Sequence, residues 1–382
     1  MKTKIMKTMC AWAYVFFVAL FTGCATGQKP TVAITLKDAF KNNFPIGVAI
    51  NQQQFTGQDS NGVALITTQF NSISPENVLK WEKIHPQPGT NGYDFAAADA
   101  YVAFGEKHQM LVVGHTLVWH SQTPNWVFQD ENGRWLSRTN ATDRELLLQR
   151  MHDHIQTVVG RYKGRIKIWD VVNEALNDSR SLSDTNVLRQ KSPWVRVLGM
   201  DFIVKAFEYA HEADPAAILR YNDYSIENPA KRQRLIALIK HLQAQDVPVM
   251  AIGSQTHANL IWPTPALEDV FLTEVSKLHL PIHITELDVN GSHAGQSNQS
   301  ADILENSQAN HDGQLVASFQ EKMAQQYENL FRIFLKHRDT VKLVTFWGVT
   351  DTDSWLRDGQ PLLFDGNWQP KPAFRAVVKL AE

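Results

Sequence analysis

The stretch Ile166–Ala175, IKIWDVVNEA, decides how the rest of the chain is read. Its alternating β-branched and aromatic residues mark a short buried strand, and the apolar run gives out at Asn173-Glu174. A strand with a carboxylate at its C-terminal tip places that group at the mouth of a barrel or parallel sheet, where α/β proteins keep their chemistry. An isolated Asn-Glu pair is more often an exposed turn. Here a second stretch of the same design, LPIHITELDV (Leu280–Val289), carries Glu286 in the same way. Two carboxyl groups on two strand ends are the minimum equipment for cleaving a glycosidic bond.

Working outward, eight apolar, β-rich stretches follow one another from Leu36 onward. They are Ile46–Ile50, Ala64–Phe70 (running into Asn71-Ser72), Met110–Leu117, Ile166–Val172, Ala217–Tyr221, Val249–Ser254, Pro281–Thr285 and Val341–Phe346. Between them lie segments of helical periodicity, among them Phe95–Glu106, Asp143–Tyr162, Val195–Glu212, Pro229–Gln245 and Val316–His337. Thr142, with Glu145 three residues on, is the N-cap candidate of the second of these. Alternating strands and helices imply a parallel sheet, and eight units imply an α/β fold of the (β/α)8 (TIM) barrel type in a single domain. Neither a GxGxxG nor a GxxxxGK[ST] pattern supports a nucleotide-binding sheet. Asn290–Gln314, rich in Gly, Ser, Asn and Gln, reads as a long loop on the active face.

Composition narrows the function. The chain has 382 residues, 43% hydrophobic and 20% charged, with a net charge of −2, which argues against nucleic acid or an anionic membrane surface as partner. Eleven Trp is a high count, useful either in a core or for stacking on sugar rings. The two cysteines, Cys10 and Cys24, lie near the N-terminus, so the domain has no disulfide framework and no cysteine metal site. Met1–Lys7 carries three lysines and Met9–Phe21 is an apolar run of 13 residues, short of the ~20 that span a membrane. Residues 1–23 therefore read as a signal peptide. Leu20-Phe21-Thr22-Gly23-Cys24 resembles a bacterial lipoprotein box with Cys24 as the lipidated residue, although Phe21 departs from the usual aliphatic. Residues 24–35 read as a tether and 36–382 as the catalytic domain. The expected location is outside the cytoplasm, held by lipid or secreted.

On a barrel every strand end points to one rim, so the polar residues there can be collected. ISPENVLKWEKIHP brings Glu76, Asn77, Lys80 and Trp81, and GHTLVWHSQTPNW brings His115, Trp119, His120 and Gln122. The fourth strand brings Asn173 and Glu174; YNDY brings Asn222, Asp223 and Tyr224; SQTH brings Gln255 and His257. ITELDV brings Thr285, Glu286 and Asp288, and TFWGVTDTDSW brings Trp347, Asp353 and Trp355. His115, His120 and His257 beside carboxylates could hold Zn or Fe, but no HxH or HExxH spacing supports a metal. The competing reading is a cleft of amides, imidazoles and indoles for sugar hydroxyls and ring faces.

Seven motifs (ENVLKW, GHTLVWHSQTP, WDVVNEA, YNDY, SQTH, ITELDV, FWGVTDTDSW) closely resemble glycoside hydrolase family 10, the retaining endo-β-1,4-xylanases, in that family's order from about Leu36 to the end. The resemblance implies Glu174 as acid/base, Glu286 as nucleophile and Asn173 as the amide on the sugar 2-hydroxyl. It also implies Glu76, Asn77, Lys80, His115, Trp119, Gln255, His257, Trp347 and Trp355 as residues holding sugars on the non-reducing side of the cut. Tyr224 joins them as a substrate-binding residue. Either His257 or Asp288 is placed to keep Glu286 ionised. Lys80 is a second candidate for that task, and Trp119 a candidate shield for the acid. No cofactor is implied, and the partners expected are xylan and xylo-oligosaccharides acting on a monomer, with no nucleic acid and a membrane only through the lipid.

Two features depart from the family pattern: Ser225 stands where Asn is usual after YNDY, and the loop Asn290–Gln314 is longer than the core pattern needs. Another β-1,4 polymer, such as cellulose or mannan, fits the same barrel. A carbohydrate-binding protein with dead machinery would have lost one of the two glutamates, and both are present.

Overall fold

A computed structural model describes residues 34–291 and 317–381; the expected signal peptide, the tether up to residue 33 and most of the loop after Asn290 lie outside the described residues. The strand that opens the reading forms as Ile168–Asn173 (β4) and is buried along its whole length. Burial on both faces explains the near-continuous apolar run, since a parallel strand covered by helices has no solvent side.

In chain order the other strands are Ile46–Ile50 (β1), Ser72–Pro75 (β2), Leu111–Trp119 (β3), Ile218–Asp223 (β5), Ala251–Ser254 (β6), the short His257–Asn259 (β7), Ile282–Asn290 (β8) and Val341–Phe346 (β9). All pairings are parallel: β1 to β6 pair in succession, β6 pairs β8, β8 pairs β9 and β9 returns to β1. Eight strands thus close a barrel, and β7 adds to β8 outside the ring. The (β/α)8 expectation holds, and seven of the eight strands lie within a few residues of where the pattern put them.

The second strand is the correction. Ala64–Phe70 belongs to a helix, Ser60–Gln69, and the strand is Ser72–Pro75. Asp59 caps the helix by accepting from the Gly62 N–H, and the buried residues Gly62, Ile66 and Phe70 recur every four positions, not every two. Thr67 and Thr68, which looked like strand formers, turn their hydroxyls back onto the carbonyls of Val63 and Ala64. A smaller correction falls at Gly199, whose φ of +68° splits Val195–Glu212 into Pro193–Leu198 and Asp201–Ala213. The long helix after β3 begins at Ala141 with Asn140 as its cap, two residues before Thr142.

Inside the barrel the side chains form layers. Val113, Ile168 and Leu343 close the end where the strands begin. Above them Asp170 accepts two bonds from Arg220, at 2.6 and 2.9 Å, and one from His115 Nδ1 at 3.0 Å. His283 meets Arg220 at 3.1 Å, and all four side chains are buried. Burial works against the Asp170 carboxylate, but Arg220 and His115 outweigh it and bring its pKa down to about 2. The period of two along β5 then carries Asn222 inward one layer above Arg220.

Candidate active site

The next layer up is the rim. Gln122, Glu174, Ser225 and Thr256, just past the ends of β3, β4, β5 and β6, all have φ between +43° and +56°. Non-glycine residues rarely take this left-handed conformation, and a cluster of them marks a rim held by its surroundings, as active sites are. Glu174 is pinned in it: its N–H donates to the Asn222 carbonyl at 2.9 Å, and its own carbonyl accepts from Arg189 Nε at 3.3 Å.

The two glutamates come together in one pocket lined by Lys80, His115, Trp119, Asn173, Glu174, Gln255, His257, Glu286, Trp347 and Trp355. The two carboxyls are linked through three amides, with Asn173 between Asn222 and Gln255. Asn173 Oδ1 accepts from Asn222 Nδ2 at 2.9 Å and from Gln255 Nε2 at 3.3 Å. The same Asn222 Nδ2 donates to Glu286 Oε1 at 2.8 Å, and the same Gln255 Nε2 to Glu174 Oε1 at 3.0 Å. Thr285 holds the other end of Asn222 by donating to its Oδ1 at 2.7 Å.

A comparison with known proteins fits this arrangement. The model of glycosyl hydrolase family 10 matches residues 35–380. The chain belongs to that family. A beta-1,4-xylanase of Dictyoglomus thermophilum is 38% identical over 352 residues, 90% of each chain. An endo-1,4-beta-xylanase of Geobacillus stearothermophilus is 39% identical over 353 residues, 91% of this chain and 98% of that one. The solved structure of a family 10 endoxylanase from a sugarcane soil metagenome superposes with a TM-score of 0.80 at 41% identity, covering 91% of this chain and 99% of that one.

In this family 10 chain the two carboxyls differ in their surroundings. Burial raises the pKa of Glu174, the nearby charges of Asp223 and Glu286 add to it, and His120 and the Gln255 bond offset only part. Trp119, the expected shield, donates its Nε1 N–H to Glu174 Oε2 at 2.9 Å and so is a hydrogen-bond donor to that carboxyl. Burial would raise Glu286 too. The bond from His257, then the fields of His115 and His257, outweigh that and hold it below its ordinary value.

His257 is the pivot of the second environment. Its Nε2 lies 3.4 Å from Glu286 Oε2 and its Nδ1 2.9 Å from Asp288 Oδ2. Burial opposes the imidazolium, but Asp288 and Glu286 lift the pKa to about 10, so the ring is charged at neutral pH. Trp355 Nε1 donates to the same Asp288 oxygen at 2.9 Å and packs edge-on to His257 at 4.9 Å. Trp347 packs edge-on to His115 at 5.3 Å. Of the histidines read as possible metal ligands, His115 is engaged by Asp170 and His257 by Asp288. Among the described residues no cluster of three or more His, Cys, Asp or Glu is arranged to hold a metal ion.

Of the remaining sequence candidates, Lys80 lines the same pocket, and Glu76, Asn77 and Tyr224 do not. Lys80 donates to Asn77 Oδ1 at 3.0 Å and lies 5.1 Å from the Trp119 ring; burial lowers its pKa, against the pull of Glu286 and Glu174. Glu76 and Asn77 line a second hollow with Asn51, Gln52 and Gln53. Burial first, then the charge of Asp353, raise Glu76 to about 7. Tyr224 is buried beneath the rim, with its hydroxyl 2.8 Å from Arg189 and its ring 3.5 Å from Lys231 Nζ, and is not among the side chains lining the pocket. Cys24 lies outside the described residues. YNDY brings Asn222, Asp223 and Tyr224 to the rim, but the family resemblance assigns a substrate role only to Tyr224, whereas the structure puts Asn222 between the two glutamates. The signal was the period of two, which puts Asn222, and not Tyr221 or Asp223, on the inner face.

Proposed function

We propose that this chain is an endo-1,4-β-xylanase that cuts internal β-1,4-xylosidic bonds of xylan with retention, as a monomer. The observation that carries the reading is the contrast between two buried carboxyls in one pocket, Glu174 with its pKa raised and Glu286 with its pKa lowered. Glu286 then attacks the anomeric carbon while Glu174 passes its proton to the departing glycosidic oxygen, which leaves a glycosyl ester on Glu286. With its proton gone, Glu174 is the base that takes a proton from water as that water breaks the ester. Asn173 already accepts two bonds on Oδ1, which leaves its Nδ2 to donate to the sugar 2-hydroxyl. Trp347 and Trp355 offer ring faces to the sugars, and Glu76, Asn77 and Lys80 select xylose on the non-reducing side. The xylanase names of relatives that span nearly the whole chain support the substrate.

Azide separates the two glutamates. Glu174→Ala acting on an activated aryl xyloside should load the enzyme, stall, and be rescued by azide as the β-glycosyl azide. Glu286→Ala should give only the α-azide, because the anion must enter from the vacated side. Azides of the opposite configurations, or an α-anomer as first product of the unaltered enzyme, refute the roles. Comparing products on xylan, glucan and mannan decides the polymer. The domain is further proposed to be exported and tethered through lipid on Cys24; Cys24→Ala should abolish membrane association and change the mature mass, and no change in either refutes the anchor.

A further inference from the structure

The helix Pro229–Gln243 begins against the usual rule. Its first two turns hold Lys231, Arg232 and Arg234, all buried, where the helix dipole disfavours cations. Each cation has a task that offsets this. Arg232 pairs with Glu274 at 2.6 Å and donates to the Glu227 carbonyl at 2.8 Å. Lys231 bridges Asp178 and Asp223 at 2.7 and 2.8 Å. Arg234 donates only to backbone: Nε to Asn186 at 3.1 Å, Nη1 to Asn177 at 3.3 Å and to Ser179, Nη2 to Ser181 at 2.9 Å and to Asp184 at 3.0 Å. All five guanidinium N–H groups are thereby used on the carbonyls of one excursion.

That excursion starts three residues after Glu174. Its ends are joined by the Leu176–Leu188 bridge and by Arg189 N–H on the Ala175 carbonyl at 2.9 Å. Its base is fixed by Asp178, which takes Arg189 as well as Lys231, at 2.7 Å each. Its crest carries Leu182, an apolar side chain left 63% exposed. Of the residues read as holding the non-reducing sugars, His115, Trp119, Gln255 and His257 sit on β3 and after β6 beside the two glutamates, while the others, Glu76, Asn77, Lys80, Trp347 and Trp355, follow β2 and β9, which flank β1 on the far side of the ring from β4 and β5. A wall that grows from the end of β4 and is clamped by the helix after β5 therefore stands on the leaving-group side.

We propose that Arg234 is a positioning residue: it holds Asn177–Asn186 as a fixed wall on the leaving-group side of Glu174, and so sets the preference for substrates extended beyond the cut. The inference rests on Glu174 being the acid/base. Arg234 does not line the pocket of the two glutamates, and its effect is exerted through the loop.

The test compares Arg234→Met with the unaltered full chain on xylohexaose and on an activated aryl β-xylobioside, whose leaving group barely extends past the cut. Expected for Arg234→Met is a loss of about tenfold in kcat/KM on xylohexaose with a change of less than about twofold on the aryl glycoside. Arg234→Lys, with three donors in place of five, should fall between, and it carries the same comparison if the methionine form does not fold. Trypsin gives a readout free of activity: the bond after Arg180, inside the caged loop, should be cut much faster in the variant while the remaining chain stays whole. Equal losses on both substrates, or an Arg180 bond as resistant as before, overturn the proposal. An unaltered enzyme inactive on xylohexaose would instead refute the xylanase reading, with the trypsin result still deciding the clamp.

Discussion

Replacing His257 with leucine should move one limb of the pH profile and leave the other. The imidazolium donates to Glu286 from 3.4 Å, and leucine removes donor and charge together. A hydrogen bond to an ionised group contributes about 1.5–3 kcal/mol. At about 1.4 kcal/mol per pKa unit, Glu286 should rise by about one to two units. The burial that opposes its ionisation stays, so nothing in the pocket compensates. Glu286 must be ionised to attack, so the acid limb of kcat/KM on xylan should move up by that amount. The alkaline limb, where Glu174 loses its proton, should stay. Leucine also strips Asp288 of one donor and leaves it Trp355 Nε1. Adding Asp288→Asn removes that stranded charge, and the double variant should regain stability while keeping the displaced limb. Trp355→Phe, which keeps a ring but frees Asp288 from its indole, should move the acid limb the same way by less. An acid limb unmoved in His257→Leu, or one restored by Asp288→Asn, would refute the reasoning.

Trp119→Phe removes a donor to the ionised form of Glu174, so that pKa should rise and the alkaline limb move up by about one pH unit in the same assay. Arg220→Met leaves Asp170 buried without its main partner and should cost about 3–5 kcal/mol in urea unfolding. The folded pKa of Asp170, about 2, is below the unfolded value, so its contribution is complete above the ordinary carboxylate range and is lost as pH falls toward 2. Asp170→Asn should accordingly flatten the acid side of the stability–pH curve. Ser225 sits at φ +49°, where asparagine is tolerated better, and Ser225→Asn should raise stability by up to about 1 kcal/mol in the same unfolding assay.

Most of the fold was legible because a parallel barrel writes its strands as short apolar runs, each ended by polar rim residues. Ile46–Ile50 and Val341–Phe346 form with the very bounds read from the pattern. The failure at Ala64–Phe70 is physical: threonine and isoleucine favour strands by packing, but Asp59 and two back-bonding hydroxyls satisfy a helix locally, and the real strand is only Ser72–Pro75. A four-residue strand carries too little pattern to outbid its neighbour. Tyr224 illustrates the same limit at the site, since adjacency in YNDY says nothing about which side chain faces inward once a strand has ended.

The two glutamates show most clearly what one dimension leaves out. VVNE and HITE present the same object, a carboxylate at the tip of an apolar strand, and nothing local distinguishes acid from nucleophile. The difference is made by chains that cross the barrel. Gln255 and His257 lie two residues apart after β6, yet the first donates to Glu174 and the second to Glu286. The neutral amide leaves burial in command of Glu174, while the imidazolium, itself held charged by Asp288 from the next strand, overrides burial at Glu286. Asn173 and Asn222 keep both oxygens in register without adding charge to either. The asymmetry that the chemistry needs is therefore set at residue 257, and exchanging that one cation for a neutral donor should bring the two carboxyls closer in acidity while leaving every other bond in the pocket in place.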